Sequence, residues 1–244
     1  MITVRRAATL GSTQSDTLTL QCHFAFADYQ DPAHQHDGRL RVLNQGTLRP
    51  SDVYHLGPES AVDVVTWVQA GSLTAQVDAF APEDIQADGL HLISTGSGCQ
   101  KLSWQAGSEG ASFLQFWFLP DADEGMPRQE SRLSFPQGEE GGFRILASGF
   151  PEDDPEESEI ITDGAPVALS AGARLLHAVI PAGEGAAYST SVNRDLYLLV
   201  VSGVVSVAEA VLQAGDAAAV SDVRDLTVMA QEPAVVLLTD VAST

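Results

Sequence analysis

Residues 64–71, VVTWVQAG, form an apolar run that stops at a glycine and leads into a second strand-like phrase, SLTAQVD. Aligned on that glycine, the run returns 132 positions later, from Val64 to Leu196, as LYLLVVSG followed by VVSVAEA. Both copies then reach a matching phrase, IQADGLHLIS at 85–94 and LQAGDAAAVS at 212–221, now 127 positions apart, so the first copy's intervening hairpin is longer by five residues. Each copy closes on one more apolar strand, ASFLQFWFL from Ala111 and AVVLLTDV from Ala234. A chain that repeats itself in this way reads as two similar β units.

The 244 residues allow one large domain or two of about 120. The repeat selects two, an N-terminal unit over 1–122 and a C-terminal unit over 123–244. A hydrophobic content of 44% suffices for two cores. No apolar run approaches the ~18 residues of a membrane helix, and the first residues, MITVRRAATLGSTQSD, lack the apolar stretch of a secretory signal. The expectation is a cytoplasmic protein. With 33 acids against 12 bases the formal charge is −21, a field that repels phosphate backbones and anionic lipid. Direct nucleic-acid binding and membrane association are therefore not expected. Two cysteines, Cys22 and Cys99, are too few for a disulfide framework and read as buried free thiols.

Segments such as TLTLQCHFAF (17–26) and LRVLNQGTL (40–48) have strand composition, and Gly, Pro and Asp punctuate them at the short intervals of antiparallel barrels or sandwiches. The polar, Pro- and Gly-bearing segment 120–142 is the linker candidate, and the acidic run EDDPEESE (152–159) reads as a solvated loop. His34 and His36 form an HxH, but in an Asp/Pro/Gly loop without a third ligand nearby, so a solvated loop is the better account. His177, amid Leu and Val, reads as a core or edge histidine. Trp67, Trp104, Phe113, Phe116 and Trp117 fall on expected strands, where barrel core is the ordinary role. Alternation sets Val65 and Trp67 on one face and Thr66 and Val68 on the other.

HFAFADYQDP (23–32) followed by LRVLNQ (40–45) resembles the opening signature of the pirin family, and the two-unit repeat is similar to that family's bicupin fold. The likeness spans the chain, dense to about Gly98 and thin beyond it. It implies an all-β architecture of two tandem cupin (jelly-roll) barrels, with the functional pocket in the first. In metal-binding members of that family, three histidines and one glutamate hold an iron-type ion, and some members are similar to quercetin 2,3-dioxygenases while others act as transcriptional co-regulators.

This sequence departs from the family pattern at the ligands. Placing Asp63 on the family's acid before the organising strand puts Gly57 and Glu59, within HLGPESAVD, on two histidine positions. Placing STGSGCQKLSW on the glycine-rich turn puts Lys101 and Ser103 on the remaining histidine and glutamate. Glycine, serine and a protonated lysine cannot hold a first-row metal. His55, Asp63 and His91 are the neighbours that could rebuild a site with Glu59 for Fe, Ni or Cu. Lys101, the sole lysine in the chain, could instead substitute its ammonium for the ion and pair with Glu59. The resulting expectation is a metal-free bicupin without a catalytic residue, acting by binding a small molecule or a protein in a regulatory or stress role. The alternatives are a quercetin 2,3-dioxygenase-like oxidoreductase with a rebuilt metal site, and a partner-binding protein without a usable pocket.

Overall fold

The computed structural model describes residues 1–78, 80–121, 125–133, 141–153 and 166–243. Parts of the expected linker, 122–124 and 134–140, and positions 154–159 of the acidic run lie outside these. The fold is nearly all β. The first half supplies β1 (Ile2–Arg5), β2 (Gly11–Gln14), β3 (Leu18–Cys22), β4 (Leu40–Leu48), β5 (Val53–Leu56), β6 (Asp63–Val77), β7 (Glu83–Gln86), β8 (Leu90–Ser94) and β9 (Leu102–Phe118). After β10 (Arg128–Arg132) and β11 (Arg144–Ser148) come β12 (Val167–Ala168), β13 (Ala173–Ile180), β14 (Gly185–Ser189), β15 (Arg194–Ser202), β16 (Val204–Val207), β17 (Ala210–Gln213), β18 (Ala217–Val220), β19 (Asp225–Ala230) and β20 (Ala234–Ala242).

In the first barrel the strands run β10-β8-β6-β9-β4-β3-β2, with β7 added to the far half of β6 and β5 to the near half of β9. In the second, β1-β18-β15-β20-β13-β11-β12 faces the four-stranded sheet β14-β19-β16-β17. The same order recurs because the same sequence phrases recur. The glycine that ends each organising stretch has a backbone reason: Gly71 and Gly203 sit at φ +73° and +79°, and a Cβ there would lie 2.0 Å from the Gly110 carbonyl oxygen and 2.2 Å from that of Pro233. Only glycine fits both restrictions.

Each half lends a strand to the other's sheet. β1 pairs antiparallel with β18, Ile2 opposite Val220 and Arg5 opposite Ala217, while β10 pairs with β8, Arg128 opposite Ser94. A division of the chain at 122/123 therefore does not separate the two sheets.

The central strands, among them β8, β15, β20 and the first half of β6, are buried on both faces, and the hydrophobic core has three parts. Val64, Val68, Trp104, Phe113 and Trp117 fill the first barrel. Leu176, Leu198, Leu238 and Val236 fill the second. Between them, Val65, Trp67, Leu114 and Phe116 meet Leu175, Tyr197 and Leu237. The expected split of Val65 and Trp67 from Thr66 and Val68 is present, but Trp67 and Phe116 pack between the barrels rather than inside one. Trp67 meets His177 edge to face, with ring centroids 5.6 Å apart. The inter-barrel seam is also polar at defined points: the buried Asp63 carboxylate accepts from the backbone N–H groups of Ser170 and, at 3.1 Å, Ala171. Among the described residues no helix is long and apolar enough to cross a membrane.

Candidate functional site

The signature loop 23–32 divides its side chains between two tasks. His23 and Phe24 face the second barrel, where His23 Nδ1 lies 3.0 Å from the Tyr197 hydroxyl and Phe24 tilts against the same ring at 5.2 Å. Phe26 turns the other way and meets Trp117 edge to face at 5.5 Å. Tyr29 donates to Asp31 at 2.8 Å, and Asp31 also lies 2.8 Å from His34 Nδ1 and 3.7 Å from Arg5 on the exchanged strand. His36 Nδ1 is directed at the Gly38 carbonyl instead, at 3.2 Å, so the HxH histidines do not converge.

Phe26, Gln30, Arg41, Glu59, Val62 and Trp117 line a cleft of about 370 Å³ at the mouth of the first barrel. Arg41 secures one wall by donating to the carbonyls of Gln35 at 2.6 Å and Ala25 at 3.3 Å. Glu59 is fixed by reciprocal backbone bonds with Cys99, 3.0 and 2.8 Å. Burial raises the pKa of its carboxyl.

The four positions matched to the family's ligands bring no metal-binding set together, although Gly57 packs against Lys101, its would-be Cβ 3.4 Å from the Lys101 Cα. Glu59 alone lines the cleft. Gly57 sits at φ +122°, and a Cβ there would come within 2.7 Å of the Gln100 carbonyl oxygen, so this loop path has no room for a side chain. Lys101 is exposed and makes no ion pair with Glu59, which corrects the expected pairing. Its backbone N–H, with that of Gln100, instead donates to Asp78 at 2.8 and 2.9 Å. Ser103 shares the outer face, opposite the exposed His55 and Gln76, and donates to the Gln76 carbonyl at 3.3 Å. Leu102 and Trp104, between and beyond them, are the residues that point inward.

The expected substitutes are equally dispersed. His55 lies on the outer face, Asp63 clamps the second barrel, and His91 is buried on the inner face of β8. The His91 Nε2 is 3.9 Å from Glu83, and burial pushes its pKa down to about 4 against the smaller upward pull of Glu83 and Gln129. Among the described residues, no group of three or more His, Cys, Asp or Glu side chains is placed to hold a metal ion. The donor set at the mouth, one carboxylate without an imidazole beside it, does not fit the iron-type ion that the resemblance implies.

Sequence reasoning missed Phe26, Gln30, Arg41 and Val62 as lining residues. Arg41 and Gln30 carried a usable signal, being polar positions adjoining the family signature. Cys22 and Cys99 are free and fully buried, with thiol pKa values pushed up to about 11, chiefly by burial. Neither thiol is expected to react with Ellman's reagent at pH 8 in the native protein, and both should react in guanidinium. Fast labelling of the native protein would contradict this burial.

The second barrel is closed at the equivalent place. Asp240, which faces Leu196 as Trp117 faces Val64, accepts from Arg194 Nε at 2.5 Å, the Tyr188 hydroxyl at 2.6 Å and the Thr190 hydroxyl at 2.9 Å. Arg174 and Arg194 lie over the Phe150 ring at 4.7 and 4.0 Å. An ion-paired plug therefore occupies the end that is a cleft in the first barrel.

Residues 161–241 match a family model described as the quercetinase C-terminal cupin domain. The chain is 33% identical over 234 residues to a pirin-like protein of Caulobacter vibrioides, covering 96% of each. It is 31% identical over 243 residues to a Pseudomonas aeruginosa protein named as a candidate quercetin 2,3-dioxygenase, covering 99% of this chain and 100% of that one. The crystal structure of the bacterial pirin YhhW from Escherichia coli, in complex with nickel(II), superposes over 100% of both chains with a TM-score of 0.87 at 21% identity.

Proposed function

Because the chain belongs to the pirin family of two-barrel cupins, and because Glu59 alone of the four ligand positions reaches the barrel mouth, we propose that it works by binding a small molecule in the first-barrel cleft rather than by metal-dependent oxygen chemistry. The observation that carries this reading is what stands at the other three positions: Gly57 locked into a backbone that excludes a side chain, and Lys101 and Ser103 on the outer face. The cleft itself has the features of a small-ligand site: concave, aromatic on one side through Phe26 and Trp117, and polar on the other through Gln30, Arg41 and Glu59. A chain of net charge −21 favours uncharged or cationic ligands over anions. A regulatory protein that docks when this cleft is filled is compatible with the same surface.

A second reading, a quercetin 2,3-dioxygenase, is favoured by the names of relatives and would need a site rebuilt around Glu59. Metal content and turnover separate the two. Purified protein incubated with Fe(II), Ni(II) or Cu(II) and desalted is expected to retain well under one equivalent of each, and to consume quercetin under air no faster than buffer does. One equivalent of tightly held metal accompanied by quercetin turnover would overturn the binding reading.

A further inference from the structure

Four strands of the first barrel each place one polar side chain at the same height on the inner face. Asn44 on β4 stands opposite Gln115 on β9, Gln115 opposite Thr66 on β6, and Thr66 opposite His91 on β8. All four are 0% exposed. Their neighbours two residues away on the same face, among them Val42, Val64, Val68, Phe113 and Ile93, belong to the apolar interior of that barrel. The row thus crosses a hydrocarbon core in three interstrand steps, about 14 Å at ~4.8 Å per step.

The second barrel supplies a comparison built into the same chain. There the corresponding row is Leu176, Leu238, Leu198 and Ala218, paired in the same order and buried in that barrel's core. The architecture therefore packs with hydrocarbon at all four positions. The first barrel carries two amides, a hydroxyl and an imidazole instead, which barrel formation does not require.

These groups do not satisfy one another. The Asn44 Nδ2 and Oδ1, Thr66 Oγ1, Gln115 Nε2 and both His91 ring nitrogens have no hydrogen-bond partner that meets normal geometry. Only the Gln115 Oε1 is engaged, accepting a long 3.4 Å bond from the Trp117 indole N–H. Leaving a buried polar group unpaired destabilises a fold, and buried polar groups in proteins are as a rule partnered. Trp117 and Val42, two residues above Gln115 and Asn44, form part of the cleft lining. The row consequently lies about 7 Å below the cleft floor, two residues at ~3.3 Å each along the strands, and the Trp117 ring is its cover.

We propose that this row recognises an uncharged, flat ligand bearing a carboxamide, which enters from the cleft. The proposal deepens the binding reading and rests on it. A carboxamide presents an N–H donor and a carbonyl acceptor on one edge, the complement of the Asn44 amide, with the Gln115 Nε2 on the next strand and Thr66 one strand beyond it. The four row side chains carry no charge, the Glu83 carboxylate 3.9 Å from the His91 Nε2 at the row's end disfavours a carboxylate ligand, and His91 is held neutral by burial. The flanking Phe26 and Trp117 rings suit a planar ring attached to the amide.

The test compares nicotinamide and benzamide with nicotinate and benzoate, by protein-observed NMR titration and thermal shift on the full chain. The amides are expected to bind saturably, and the acids at least tenfold more weakly. The variant Asn44→Leu/Thr66→Val/Gln115→Leu, which gives the row hydrocarbon as in the second barrel, is expected to melt no lower than the parent and to lose amide binding at least tenfold. If the triple variant fails to fold, the near-isosteric Thr66→Val alone should weaken amide binding severalfold at unchanged melting temperature. Amide binding that survives in the triple variant but disappears in Trp117→Ala would overturn the row and leave the cleft standing as a binding site. No response to either amide in the parent protein would overturn the row also, and the metal and quercetin measurements would then judge the cleft reading separately.

Discussion

Replacing Asp240 with alanine is expected to lower the unfolding free energy by about 3–5 kcal/mol, the range for removing one partner of a buried ion pair. Its carboxylate is 0% exposed and accepts from three donors, Arg194, Tyr188 and Thr190, with the Arg174 guanidinium 3.8 Å away as a second ion-pair partner. Without it, the two guanidinium groups face each other above the same Phe150 ring in a site that water reaches poorly. Arg174 would keep Asp153, whose carboxylate it contacts through Nε at 2.5 Å, but Arg194 would lose its only ion pair among the described residues. Asp240→Asn should fall between parent and alanine, because an amide oxygen still accepts from the two hydroxyls. Guanidinium unfolding followed by circular dichroism gives the comparison. A loss below 1 kcal/mol for the alanine variant would mean that the plug contributes little to closing the second barrel.

Acid should destabilise the molecule through His23 and His91. Both are buried and neutral in the fold, with pKa values pushed down to about 3 and about 4; burial is the main cause in each, with Arg5 adding to it at His23. The unfolded chain takes up those protons near pH 6.5, so the stability they contribute is present above that pH and is lost as pH falls through the window towards 3. At about 1.4 kcal/mol per pKa unit, each is worth about 3 kcal/mol between pH 6.5 and 4. Asp37 acts in the opposite sense. Burial raises its pKa to about 6, so the folded state holds that proton more tightly than the unfolded chain, and acidification from pH 6 to 4 returns part of the loss. Raised carboxyls at Asp63 and Glu59 add to that return. A variant isolates the histidine contribution from this background. His23→Gln keeps a side chain able to hydrogen-bond Tyr197, and its stability relative to the parent should improve by about 3 kcal/mol as pH is lowered from 7 to 4. Parallel stability curves for the two proteins would remove His23 from the account.

Much of the architecture was legible in sequence because it rests on local pattern. The repeated glycine-terminated stretch required a tight backbone approach in both barrels, and the structure places a carbonyl about 2 Å from each would-be Cβ. The polar row was also partly legible. Thr66, His91 and Gln115 are polar residues inside apolar strands, and the repeat pairs Thr66 and Gln115 with leucine and His91 with alanine. What hid them is that these strands are apolar on both faces, so alternation separates two faces without saying which one lines a barrel and which one meets the other barrel. Trp67 and Thr66 were correctly split, yet only packing showed the tryptophan between the barrels and the threonine inside.

Strand phase governs the matched ligand positions as well. Lys101 and Ser103 were assigned by alignment of a loop, and strand phase beyond that loop turns them outward while Leu102 and Trp104 turn in. A one-residue difference in phase moves a side chain to the opposite face of a sheet. The sequence by itself determined the two β units, the free buried thiols and the acidic composition, because each follows from residue type and spacing along the chain. Only tertiary structure decided that β1 and β10 exchange sheets, that an ion-paired plug fills one barrel's end while a cleft opens the other, and that four polar side chains form one row. Those features depend on which strands lie side by side, and such pairing is set by contacts between residues far apart in the chain.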